Sequence, residues 1–279
     1  MRADDEGEWR TVRSGRSTGT LWGVGAATAA LLLTACTGDD PKPGSPPVLP
    51  ADRVVFGLGS TGHGWMSHTA QQLHSPTLTI HGDGRVVFVD TGTVTGPGTS
   101  MAPPEYRVAR VDPVDVSAFA HDLEQQNLVD LGTDVGIPGV TDQATTTVTL
   151  HAYGEPADLR VYAFAPRFEE GLSADALTNR AALRAAIEDA WEFTRGHSEP
   201  YVPQTVAVFQ LPGADAPADD VPEWPGPDPQ SFLTEGVGGA AGEITGESAA
   251  VVYAAARGNP HAYWSVGDAV MRLVVDPVP

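Results

Sequence analysis

The 279-residue chain has one cysteine, Cys36, and one lysine, Lys42. A lone thiol excludes an intrachain disulfide, so packing must hold the fold together. Positive charge is scarce: 16 basic residues stand against 36 acidic ones, for a net charge of −20. That excess opposes binding to nucleic-acid phosphates and electrostatic docking on anionic lipid. Long apolar runs are lacking too. The uncharged stretch at 19–33, GTLWGVGAATAALLL, is rich in Gly and Ala and falls short of the ~20 residues that cross a bilayer. The G-x-S-x-G string that occurs, Gly15-Arg16-Ser17-Thr18-Gly19, runs into the start of that stretch and follows no β-rich run, so serine-hydrolase chemistry has no local support.

What is present begins with that same stretch. Arg2, Arg10, Arg13 and Arg16 precede it, and the small-residue tetrapeptide Leu33-Thr34-Ala35-Cys36 follows. A positive n-region, a short apolar core and small residues at the cut describe a secretory signal. Leu33-Thr34-Ala35-Cys36 resembles the bacterial lipobox. The resemblance implies that residues 1–35 are removed and that Cys36 carries lipid, whose acyl chains hold the protein at the membrane. Residues 1–36 hold four Arg and four acidic residues. The remainder therefore keeps 12 basic residues, 32 acidic ones and the whole net charge of −20. Residues 36–51 read as the lipidated Cys and a Pro/Gly-rich spacer.

The expected fold class is α+β: antiparallel sheets with helices packed on one face. A ββ-β-α-ββ-α unit is expected over 52–197, and a smaller β-loop-α-β unit packed on it over 198–279. Strands are predicted at 53–56, 77–81, 85–89 and 106–111, with Gly82-Asp83-Gly84 as a tight hairpin turn. Asp112 and Pro113 predict a helix start, with Val116, Phe119 and Leu123 on its buried stripe. A second hairpin spans 144–151 and 158–164. A helix over 174–195 follows Ser173, with Leu177, Leu183, Ile187 and Trp191 as its stripe. Beyond it come a strand at 205–211, a Pro/Gly/Asp-rich loop over 212–243, a helix from Thr245 to Gly258, and a strand at 269–275. Trp224 and Trp264 are the expected anchors between the two units.

Several groups could carry chemistry. Gly57-Leu58-Gly59-Ser60-Thr61-Gly62 matches G-x-G-x-x-G, and Asp83 lies at the distance of a ribose-binding acid. No amphipathic helix follows Gly62, however, and Asp83 already serves the hairpin, so the string reads as a glycine loop and no cofactor is assigned. His63, His68, His74 and His81 cluster, and zinc or copper favours imidazole. Their spacings fit no compact ligand motif, so no metal site is assigned; His63, His68 and His74 form the set to consider if they converge. Asp134 and Asp142 flank a loop where paired carboxylates could do acid/base work or hold Ca²⁺; Asp beside Gly and Thr otherwise makes turns and caps.

Three stretches, TLTIHGDGRVVFVDTG (77–92), VTDQATTTVTLHAYG (140–154) and WSVGDAVMRLVVDPVP (264–279), together resemble a group of uncharacterised actinobacterial lipoproteins. The group's last segment reads like R-P-L-L-P, where this chain has Asp276-Pro277-Val278-Pro279. The resemblance implies a fold and a location, and no activity. The sequence therefore points to a lipid-anchored extracytoplasmic lipoprotein on the cell membrane. Its expected role is a non-catalytic envelope binding or structural module, with the membrane as partner through Cys36. The alternative is a hydrolase or metal-dependent enzyme using His63/His68/His74 or Asp134/Asp142.

Overall fold

The computed structural model describes residues 46–47, 49–61, 76–90, 100–130, 132–154, 156–212, 221–236 and 239–279. Cys36, Gly62, His63, His68 and His74 lie outside them. The fold is α+β, with two antiparallel sheets and three helices among the described residues.

The first sheet contains β1 (Val54–Thr61), β2 (Leu78–His81), β3 (Arg85–Val89), β4 (Tyr106–Arg110), β5 (Thr145–Leu150), β6 (Ala157–Tyr162) and β7 (Ser198–Pro200). Their order is β6-β5-β1-β2-β3-β4-β7, and every pairing is antiparallel. The turn between β2 and β3 is fixed by its residues. Asp83 Oδ1 accepts the Arg85 backbone N–H at 3.0 Å. Gly84 has φ +81°, and a Cβ there would stand 2.1 Å from the Val111 carbonyl, so no other residue fits.

Helix α1 (Pro113–Gln125) starts as its sequence dictates: the Asp112 carboxylate accepts from Val114 N at 2.9 Å, with Pro113 in the first turn. Helix α2 (Ala174–Glu192) is capped by Ser173, which accepts from Ala176 N at 3.1 Å. Both helices pack on one face of the sheet. Val116, Ala120 and Leu123 of α1 and Leu183, Ala186 and Ala190 of α2 share a core with Phe56, Leu78, Ile80, Phe88, Val148 and Val161. Phe119 lies edge-on to both Phe56 and Phe193, at 5.5 and 5.4 Å. The stripe on α2 is shifted from the predicted one. Leu177 is 37% exposed, while Arg180 is fully buried.

The second sheet has β8 (Thr205–Gln210), β9 (Thr234–Gly236), β10 (Gly239–Thr245), β11 (Tyr263–Val266) and β12 (Ala269–Val278), ordered β11-β12-β8-β10-β9. Helix α3 (Glu247–Arg257) packs Ala249, Val252, Tyr253 and Ala256 against it. This is richer than the expected β-loop-α-β. The stretch 212–243 includes β9 and most of β10, because β10 gains backbone partners on both sides from β8 and β9. Trp224 and Trp264 stack edge-on at 5.3 Å inside the core of this sheet and α3, not between the sheets. Strand β7, which a boundary at 197 leaves with the second unit, pairs with β4 of the first sheet.

The strap before β4 links the two sheets. Met101 N donates to Pro260 O at 2.7 Å. The Tyr253 hydroxyl donates to Pro104 O at 2.8 Å and accepts from Tyr106 N at 3.2 Å. Arg257 pairs with Glu105. Burial raises the Tyr253 pKa above the ordinary phenol value, so its hydroxyl stays protonated in this network.

Candidate functional site: a threonine-floored cleft

Strand geometry builds the site. Side chains alternate along β5, so Val148 and Leu150 enter the helix-side core while Thr145, Thr147 and Thr149 face the other way. Register then assembles rows across the sheet. Thr147 lies between Gly59 of β1 and Arg160 of β6. Thr149 lies between Gly57 and Asp158, and Thr79 of β2 continues that row opposite Gly57.

A cleft of about 880 Å³ lies over these rows. Pro76 and Val278, the last residue of β12, also line it, and Asp158 and Arg160 are its charged lining residues. The segment Gly57–Thr61 is thus strand, not the glycine loop expected from sequence. Its period-two pattern places Phe56 and Leu58 in the core and both glycines on the cleft side.

The fold does not require Gly59. Its φ is not positive, and the nearest atom to an added Cβ is Pro76 Cα at 4.0 Å. Gly57 is tighter, with Thr149 Cβ 3.3 Å from the same construction. A glycine in a strand interior weakens the strand, and it commonly marks a place where something approaches the backbone closely. At Gly59 the space left by the missing side chain opens into the cleft.

The polar groups are unevenly committed. Thr149 Oγ1 donates to Asp158 Oδ1 at 2.6 Å, and His151 Nε2 stands 4.0 Å from the same oxygen. The imidazole is beyond hydrogen-bond reach of that carboxylate, and the carboxylate, not the imidazole, sits beside the hydroxyl. This inverts the order that activates a nucleophile, in which histidine lies between hydroxyl and acid. Arg160 is exposed and makes no hydrogen bond or ion pair among the described residues. It also lines a second cleft of about 570 Å³, together with Asp134, Gly136 and Tyr162.

Of the carboxylates singled out by sequence, Asp134 lines that second cleft and Asp142 lines neither. Asp134 Oδ1 accepts from Gly136 N at 2.9 Å, and Oδ2 accepts from Ser173 Oγ at 3.5 Å. Asp142 Oδ2 accepts from Thr141 Oγ1 at 3.3 Å, on a backbone with φ 59°. Asp134 thus does turn chemistry, and Asp142 sits at a left-handed turn position that Asp tolerates. Among the described residues, no three His, Cys, Asp or Glu side chains converge on one point. No described helix is long and apolar enough to cross a membrane. Sequence reasoning missed Arg160, Asp158 and the threonine rows. The alternation Thr145-x-Thr147-x-Thr149, with Asp158 and Arg160 two apart on the partner strand, was the available signal.

Two buried groups lie away from the cleft. His81 is 2% exposed, and its Nδ1 lies 3.1 Å from Arg85 Nη2. Since guanidinium only donates, Nδ1 accepts and the ring proton sits on Nε2, which makes no well-formed hydrogen bond and has at most a weak contact with the Asp52 backbone. Burial, reinforced by the Arg85 charge, lowers the His81 pKa to about 4. Arg180 donates to four carbonyls: Val135 at 2.6 Å, Tyr162 at 2.8 Å, Ala163 at 3.0 Å and Gly136 at 3.4 Å. It ties the wall of the second cleft to the end of β6.

The chain matches no protein-family model, no curated protein and no solved structure with which it was compared.

Proposed function

We propose that this protein is a lipid-tethered binding module of the cell envelope, related to the actinobacterial lipoproteins its sequence resembles, that holds a small polar ligand in the threonine-floored cleft. The cleft over Gly59 carries the reading. Its volume falls in the range of small-molecule sites, and a glycine unneeded by the backbone keeps its floor open. Cys36 supplies the tether, and the acidic remainder of the chain, repelled by anionic lipid, depends on it. The hydroxyl–carboxylate–imidazole order around Asp158 favours binding over nucleophilic catalysis.

Native mass spectrometry of the protein released from membranes by mild detergent tests this reading. A bound small molecule is expected on the natural protein and absent from Gly59→Phe, which fills the floor. An identical mass profile for both proteins, with no adduct, refutes the binding role.

A further inference from the structure

We infer that the cleft is a site for an anionic polyol, a sugar acid or sugar phosphate, with Arg160 holding the anionic group. This rests on the binding-module reading above and adds the ligand class.

Two observations carry it. Arg160 is the one cation among the cleft's described lining residues, and it is unengaged by any described protein group. Most other described arginines are committed: Arg53 to a carbonyl, Arg107 to Ser198 and Asp90, Arg184 to Glu169, Arg195 to Glu192 and Arg257 to Glu105. A guanidinium left free beside a cleft, in a chain with acid in large excess, offers a planar fork that fits carboxylate or phosphate.

The second observation is the hydroxyl floor. The hydroxyls of Thr145 and Thr147 make no described hydrogen bond, so each can both donate and accept. Asp158 keeps an oxygen beyond the one that Thr149 holds, and a carboxylate only accepts. Such a set matches ligand hydroxyls, which need both roles. Arg160 and Asp158 are two residues apart on one strand, so their backbones are roughly 7 Å apart. That is about the span of a six-membered sugar ring with one substituent.

The net charge of −20 repels an anion at long range, but that repulsion is screened beyond about 8 Å at physiological salt. Contact with Arg160 is shorter than that.

Calorimetric titration of the detergent-released protein with D-glucuronate, glucose 6-phosphate and glucose tests the inference. At least one anion is expected to bind ten-fold or more tighter than glucose, and the two anions separate carboxylate from phosphate recognition. Arg160→Gln is expected to weaken that anion by roughly 10- to 100-fold, as loss of charge-assisted hydrogen bonds does, and to leave glucose unchanged. Arg160→Lys should restore part of the loss. Binding of glucose as tight as either anion, an unchanged Arg160→Gln, or binding of neither anion overturns it. If neither anion binds yet the natural protein still carries an adduct that Gly59→Phe lacks, the cleft is a binding site and the anion assignment alone fails.

Discussion

Protonation of His81 should set the acid limit of this fold. In the unfolded chain His81 titrates near its ordinary 6.5, and in the fold at about 4. Between those values the unfolded state binds more protons, so stability falls as the pH drops from about 6.5 to 4, below which the His81 contribution is fully lost. At ~1.4 kcal/mol per pKa unit, this depression corresponds to about 3 kcal/mol. The geometry explains the size. A protonated ring would carry a proton on Nδ1, facing the Arg85 donor 3.1 Å away, in a site where the residue is 2% exposed. Both the hydrogen bond and the solvation of the new charge would be lost. His81→Asn is the informative variant, because Oδ1 can accept from Arg85 without titrating. Urea unfolding followed by tryptophan fluorescence, from pH 7.5 to 4, should show the natural protein losing about 2–3 kcal/mol more than the variant. Carboxylates that titrate in the same window act on both proteins alike and cancel in the difference. Parallel stability curves would show that His81 takes up its proton at no cost, and the burial argument would fall.

Three further outcomes are expected. Arg180→Met should destabilise by about 3–5 kcal/mol in the same unfolding assay, because four carbonyls of Val135, Gly136, Tyr162 and Ala163 lose their donor; Arg180→Lys should recover only a part, since an ammonium cannot span the fork. Gly59→Val should raise stability by roughly 0.5–1 kcal/mol, as β-propensity and reduced unfolded-state entropy predict, and a loss instead would show that the backbone needs the glycine. Cys36→Ala should abolish incorporation of an alkyne fatty acid during growth, and a fully labelled variant would refute lipidation at that residue.

Much of the first sheet was legible because its punctuation is local. Asp83 and Gly84 specify a turn by their own chemistry, and Asp112 and Ser173 cap helices through their own side chains. The errors share a different cause. Gly57–Thr61 and Gly239–Thr245 are glycine-rich strings with weak strand propensity, and each becomes strand because neighbours on both sides supply hydrogen bonds. Arg180 was passed over because charge normally excludes a residue from a core stripe. The carbonyls that welcome it come from a loop and a strand end distant in sequence. The cleft failed to show for a similar reason. Arg160 read alone is a solvated side chain; only pairing with Thr147, and through it with Gly59, places it at the edge of a floor.

The cleft draws on two sheets that a growing chain completes at different times. Gly59, Thr147 and Arg160 all lie on strands preceding β7, whereas Val278 lies at the end of β12. β12 is also an interior strand, held between β11 and β8, so the second sheet stays incomplete until it arrives. In a chain that emerges N-terminus first, the floor is therefore laid before the wall. A half-emerged protein would present its threonine rows to whatever is nearby, and would gain the far wall of the cleft only with its last strand.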